Sequence, residues 1–303
     1  MNLQGRIALV TGASGLVGST VVKRLVAEGM DVRGLMRNPA DLGEGVAVCL
    51  GDVRDGAAVA KAVQGAALVV HCAAVLRRAS REEAFAVNVE GTHVVLRAAL
   101  QKHCERFIHI STTSAHDLEG RDLVDEATPF VRADDPYGES KAAAEGAVWA
   151  AAADGLRVTV LRPPAILDAH PNCYWTVGIP TQIAAGQFVL QGDGGYALGY
   201  VHVRNLADAV VLAARSDRAV GQAYIVIDGH TTWRELTDLH RGWLGFPEVP
   251  SVSPETVPPA YRWHGRWSGE KLRRELGYEP RVTWQAAMAE VKAYLVERGV
   301  VKG

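Results

Sequence analysis

Tyr137 and Lys141, in the run Tyr-Gly-Glu-Ser-Lys, stand four residues apart, one helical turn, so their side chains share a face. That spacing has a chemical use. A free phenol ionises at about pH 10, and it exchanges protons at neutral pH only where a cation and a helix N-terminus favour the phenolate. Lys141 supplies the cation, and Asp135-Pro136 places a helix start just before Tyr137. Such an acid/base also needs a hydroxyl to hold the reacting oxygen. Ser111, Thr112, Thr113 and Ser114 follow the apolar run Phe107 to Ile110, and all four are expected to face one crevice. Hydroxyls at strand ends also make turn hydrogen bonds, so the residues alone leave the choice among them open.

Far upstream, Ile7-Ala8-Leu9-Val10-Thr11-Gly12-Ala13-Ser14-Gly15-Leu16-Val17-Gly18 reads as a buried strand, a glycine-rich turn and a helix start. That order suits a pyrophosphate. The first glycine permits a sharp turn, the second lets backbone approach phosphate, and the third lets the helix lie close on the sheet. The helix N-terminus supplies N–H groups and partial positive charge. An acidic residue about 20 positions further on would accept from a ribose 2′-OH. This chain instead offers Arg37, a cation that pairs with a 2′-phosphate, so NADP(H) is favoured over NAD(H). Asp52, after the third strand, could accept from the adenine amino group.

These residues need a scaffold. Apolar runs at Ile7 to Val10, Asp31 to Met36, Val46 to Leu50, Ala67 to His71, Phe107 to Ile110 and Val158 to Leu161 read as six strands buried on both faces. Helical patterns fill the gaps at about 16–28, 55–64, 81–104 and 137–153. This alternation predicts an α/β fold, a Rossmann-type doubly wound parallel sheet. After Arg162-Pro163-Pro164 the texture changes, and six of the seven tryptophans lie beyond it. We therefore expect a cofactor domain over 1–165, with a returning segment near 200–228, and a smaller interleaved substrate lobe over 166–303. The Pro-rich stretch Pro247 to Pro259 reads as a loop.

With 303 residues, 48% hydrophobic and 22% charged, the chain can bury a sizeable core, which argues against disorder. A net charge of -2 gives no global attraction for nucleic acid or anionic lipid. The start lacks a signal-peptide pattern, and the run Ala66 to Leu76 is interrupted by His71 and too short to span a bilayer. A cytoplasmic protein with no membrane partner is expected. The four cysteines and ten histidines show no metal-ligand spacing, so free thiols and no metal are expected.

Taken in order, these motifs resemble the extended short-chain dehydrogenase/reductase family, also called the NAD-dependent epimerase/dehydratase family. The resemblance spans nearly the whole chain. It adds His71-Cys72-Ala73-Ala74, Asn88-Val89-Glu90-Gly91-Thr92, Leu161-Arg162-Pro163-Pro164, Gly192-Asp193-Gly194, Tyr200-Val201-His202-Val203 and Leu276-Gly277-Tyr278-Glu279-Pro280. It implies Thr112 as the hydroxyl holding the substrate oxygen, Tyr137 as acid/base, and Lys141 as both ribose ligand and modulator of the phenol. Cofactor contacts are implied for Gly12, Ser14, Gly15, Leu16, Val17, Gly18, Arg37, Asp52, Val53, Ala73, Ala74, Asn88, Tyr137, Lys141, Pro163 and Pro164. A homodimer through the helices carrying Asn88 and Tyr137 is also implied.

Two departures narrow the reaction. Sugar-nucleotide dehydratases of the family follow the hydroxyl with an Asp-Glu pair, where this chain has Thr113-Ser114. Sugar-nucleotide members also carry an arginine that grips the diphosphate, and Leu198 stands in its place. The expected function is an NADP(H)-dependent oxidoreductase that interconverts a carbonyl and an alcohol on a small, largely apolar substrate, similar to dihydroflavonol reductases and 3β-hydroxysteroid dehydrogenases. The alternatives are a nucleotide-sugar epimerase and a non-catalytic redox sensor. Such a sensor would lack the tyrosine or the lysine. Arg77-Arg78 would lie near the crevice and could attract an anionic substrate.

Overall fold

The computed structural model describes residues 1–76, 79–130, 136–246, 248–257 and 262–302, so Arg77, Arg78 and Asp135 lie outside the described residues. From the N-terminus, β1 (Ile7–Thr11) leads into α1 (Leu16–Ala27), β2 (Asp31–Met36), β3 (Ala47–Leu50), α2 (Gly56–Val63) and β4 (Leu68–His71). The chain continues through α3 (Arg81–Ala84), a π-helical turn (Phe85–Glu90), α4 (Gly91–Gln101), β5 (Arg106–Ile110) and β6 (Leu123–Val124). Then come α5 (Pro136–Ala153), β7 (Val158–Arg162), β8 (Ala165–Leu167), α6 (Ile179–Ala184), β9 (Ala197–His202) and α7 (Val203–Arg215). β10 (Gln222–Ile225), β11 (Gly229–Thr232), α8 (Trp233–Leu244), β12 (Arg266–Trp267), α9 (Glu270–Leu276) and α10 (Trp284–Glu297) complete the described strands and α-helices.

The central sheet is parallel, in the order β10-β7-β5-β4-β1-β2-β3, the doubly wound Rossmann-type arrangement that the alternating pattern predicts. Its pleat sends alternate residues to opposite faces. Ala8, Val10, Val70 and Ile108 pack with Val21 and Leu25 of α1 and Val210 of α7. Leu9, Val69 and Phe107 pack on the other face with Val59 of α2, Val95 of α4 and Val148 of α5. The interiors of both layers are sealed, so the chemistry is confined to the carboxyl ends of the strands.

Three expectations need correction. β3 is an edge strand with Val48 and Leu50 about half exposed, because α2 covers only one side of it. The helix expected over 81–104 is interrupted at Phe85–Glu90 by a π-helical turn. The returning strand at β9 joins a separate three-stranded sheet, β11-β9-β8, whereas β10 returns to the main sheet beside β7. The helix between them starts at Val203, where the His202 ring accepts from the Arg204 N–H and caps it. Beyond the main sheet, β8, β9, α6, α8 and α10 enclose another core built on Leu167, Ile179, Leu198, Leu236 and Met288, with Trp175, Trp233 and Trp284 packed against it.

Candidate active site

The chain leaves β1 into a turn that only glycine fits. Gly12 adopts φ +65°, and a Cβ there would lie 2.8 Å from the Ala73 Cα. At Gly18 a Cβ would run into the Gly12 carbonyl. Gly15 precedes α1 in an extended conformation and brings no side-chain cap, which leaves the first-turn amides of α1 without a side-chain acceptor. A cleft of about 190 Å³ opens in front of them, lined by Gly12, Ser14, Gly15, Arg37, Asp52, Val53, Ala73 and Ala74. Leu16 and Val17 follow in the half-buried first turn. A turn closed to a Cβ at Gly12 and Gly18, beside uncapped amides, fits the pyrophosphate of a dinucleotide.

At one end of the cleft Arg37 is exposed, directly after β2. Asp52 does not stand alone there. Arg54 grips its carboxylate with Nε at 2.8 Å and Nη2 at 2.9 Å. That bidentate pair, with a smaller contribution from Arg37, holds the Asp52 carboxyl down at about 2. Arg54 was not singled out from the sequence, although its position two residues after an acidic strand end could have flagged it.

A hydrogen-bond chain links this turn to the helix of Tyr137. The Thr11 hydroxyl lies 2.7 Å from His71 Nδ1, and His71 Nε2 lies 2.9 Å from the Thr92 hydroxyl. Thr92 donates to the Asn88 carbonyl at 2.6 Å. It must therefore accept from His71, which places the imidazole proton on Nε2. Asn88 in turn donates to Ser140 and to the Val75 carbonyl, accepts from the Val75 N–H, and Ser140 donates to the Tyr137 carbonyl. Both amide hydrogens of Asn88 are thus committed to the protein, tying the loop that carries Ala73 and Ala74 to α5.

α5 begins at Pro136, with Tyr137 half-buried and Lys141 buried on its inner face. Lys141 donates to the Ile110 carbonyl at 2.6 Å, and burial lowers its ammonium to about 8 against an opposing contribution from Glu145. The four hydroxyls do not face one crevice, because side chains alternate at a strand end. Ser111 turns inward and donates to Glu145 at 2.6 Å. Thr112 donates to Ser114 Oγ at 3.0 Å and accepts the Ser114 N–H. The Thr113 N–H donates to the carbonyl of Pro163, so the Pro163-Pro164 turn is pinned to the same strand end.

Beneath these groups lies an ion pair that the sequence reading missed. Arg162 and Glu145 meet at 2.6 Å, both nearly out of solvent. Their signal was available: Glu145 stands four residues after Lys141, on the same inward face, where a carboxylate needs a cation. Among the described residues no group of three or more His, Cys, Asp or Glu is placed to hold a metal ion, and no helix is long and apolar enough to cross a membrane.

Residues 8–227 match the NAD dependent epimerase/dehydratase family. A 3-beta-hydroxysteroid dehydrogenase from Mycolicibacterium neoaurum is 30% identical over 97% of this chain and 92% of that protein. A 4-hydroxy-2-methyl-3-oxo-4-farnesyl-3,4-dihydroquinoline-1-oxide ketoreductase from Stigmatella aurantiaca is 30% identical over 92% of this chain and 93% of that one. Among solved structures, the dTDP-glucose 4,6-dehydratase DesIV from Streptomyces venezuelae, crystallised with NAD, superposes with a TM-score of 0.86 at 25% identity over 98% and 99% of the two chains. The cradle, the strand order and these relatives agree: the chain belongs to the NAD dependent epimerase/dehydratase family, the extended short-chain dehydrogenase/reductases, and is an NAD(P)-dependent oxidoreductase of that type.

Proposed function

We propose that this protein is an NADP(H)-dependent oxidoreductase that interconverts a carbonyl and an alcohol on a small, largely apolar substrate. The observation that carries the reading is the pairing of Tyr137 with a buried, cationic Lys141 one turn along α5, next to the strand end that bears Thr112. Gly12, Ser14, Gly15, Leu16, Val17 and Gly18 hold the pyrophosphate and Arg37 the 2′-phosphate. Asp52 and Val53 would hold the adenine, and Ala73, Ala74, Pro163 and Pro164 the nicotinamide. When bound, the cofactor supplies or takes the hydride. Tyr137 gives or takes the proton at the substrate oxygen, Thr112 orients that oxygen, and the Lys141 charge makes the phenol a stronger acid. Lys141 also holds the ribose, and Asn88 sets the helix of Tyr137. Residues 1–165, with the segment returning near 200–228, form the cofactor domain, and 166–303 shape the substrate. The π-helical turn that carries Asn88, continuing into α4, and α5, which carries Tyr137, would form a homodimer interface.

An apolar substrate is supported by the steroid and quinoline names of the relatives and by Leu198, which is buried in the lobe core. A second reading, a nucleotide-sugar epimerase, draws on the likeness to a Thermus thermophilus UDP-glucose 4-epimerase with a TM-score of 0.81 at 25% identity. The two separate in one experiment. The NADP-saturated protein is titrated with UDP, dTDP and GDP in a thermal-shift assay, and NADPH oxidation is followed with aldehydes, cyclic ketones and ketosteroids. Turnover of a carbonyl without a diphosphate shift supports the oxidoreductase. A clear shift with one diphosphate, and no carbonyl turnover, overturns it.

A further inference from the structure

We propose that Glu145 and Arg162 act as a positioning pair, one buried contact that fixes the strand end of Thr112, the helix of Lys141 and the Pro163-Pro164 turn relative to one another. This inference rests on the reading of Tyr137 and Lys141 as the acid/base couple.

Each anchor adjoins a site residue. Ser111, which donates to Glu145, precedes Thr112; Glu145 lies one turn beyond Lys141; Arg162 precedes Pro163. The side-chain valences of the pair are met by protein. Glu145 accepts from Ser111, from the Trp149 indole at 3.1 Å and from Arg162 Nε and Nη2. Arg162 Nη1 donates to the Glu126 carbonyl at 3.1 Å and to His116 Nε2 at 3.2 Å, and the guanidinium lies over the Phe130 ring. His116 uses its other nitrogen on the Thr113 carbonyl, which returns the network to the hydroxyl strand. A buried ion pair is a weak source of net stability compared with apolar packing. What it does supply here is a fixed distance between three segments from distant parts of the chain.

The pair also governs the charge felt by Lys141. That ammonium is faced by Glu145 on its own helix, by Cys72 after β4, and by His71 and His109 on β4 and β5. Burial keeps the Cys72 thiol protonated up to about 12 and both histidines neutral. Glu145 is therefore the charge among these groups that holds the ammonium protonated, against the burial that lowers it. Without Glu145, Lys141 loses its proton at lower pH, and Tyr137 then loses the cation that favours its phenolate.

The test compares wild type with Glu145→Gln and with the double variant Glu145→Leu/Arg162→Met. The double variant removes both charges and keeps apolar volume, which avoids the unpaired Arg162 that the single variant leaves. Two readouts are taken: the pH profile of kcat for carbonyl reduction, and the ionisation of Tyr137 by ultraviolet difference titration against Tyr137→Phe. We expect kcat to fall about tenfold or more, its alkaline limb to move to lower pH, and Tyr137 to ionise at higher pH, in the double variant as in the single one. A folded double variant with wild-type kcat, pH profile and phenol titration overturns the proposal and leaves the acid/base reading intact. A shifted phenol titration in a protein that reduces no carbonyl sustains the positioning pair and removes the reaction assigned to it.

Discussion

The imidazole of His71 lies 2.7 Å from the Thr11 hydroxyl, joining the end of β1, just before the glycine turn, to the end of β4. With the ring proton on Nε2, Nδ1 accepts from Thr11, and burial holds His71 neutral down to about 3. An unfolded histidine protonates at about 6.5, so below that pH the unfolded chain binds the extra proton. The contribution of His71 to stability is therefore complete above pH 6.5 and is lost as pH falls, by about 1.4 kcal/mol for each unit. His116, His202 and His240, held at about 4, 4 and 3, act in the same sense. The carboxyls of Glu126, Asp168 and Asp228, raised by burial, act in the opposite sense but are fewer. Melting temperature measured from pH 8 to pH 5 should fall progressively below pH 6.5; a flat profile would show that these histidines are protonated in the folded chain.

Gly12 combines a left-handed backbone with a neighbouring backbone too near for a side chain. Gly12→Ala should cost about 1–3 kcal/mol through crowding against Ala73 and a further 1–2 through backbone strain. Denaturant melts would report the loss. NADPH affinity should fall with it, because Ala73 must move and the cradle widens. A variant with wild-type stability and affinity would mean that the turn relaxes without consequence.

Arg37 lies at the cleft beside an aspartate already neutralised by Arg54. A 2′-phosphate placed there would meet an exposed cation and a compensated carboxylate. Arg37→Ala should weaken NADPH by about 1.5–3 kcal/mol, roughly 10- to 100-fold, and change NADH much less. Dissociation constants for both cofactors decide the matter: equal losses would remove the NADP preference.

Tyr137→Phe deletes one oxygen from the inner face of α5. It should lower kcat by about 10²–10⁴-fold while leaving NADPH affinity nearly intact. Retention of more than a few per cent of the rate would assign the proton to another group.

The strands were legible because apolar β-branched runs at regular spacing leave few other ways to bury themselves, and the glycines of the turn announced their own geometry. Sheet order was less accessible. Nothing in Ala47 to Leu50 says that this strand is last in the sheet and half exposed, since that follows from which neighbour is missing. The motif of Asn88 implies a cofactor contact, and only the fold shows that its amide also holds Val75 and Ser140. Glu145 and Arg162 were hidden for a similar reason. One sits in an alanine-rich helix and the other at a strand end, and only the fold brings them to 2.6 Å.

The central claim is net hydride transfer to a carbonyl. It is tested most directly by supplying NADPH deuterated at the transferring position together with a ketone that the protein consumes, and locating the label by mass spectrometry. The account predicts one deuterium on the carbinol carbon of the product, stoichiometric with NADP formed, in wild type and at a rate reduced by about 10²-fold or more in Tyr137→Phe. An isomerised product without deuterium, with the cofactor returned unchanged, would contradict it.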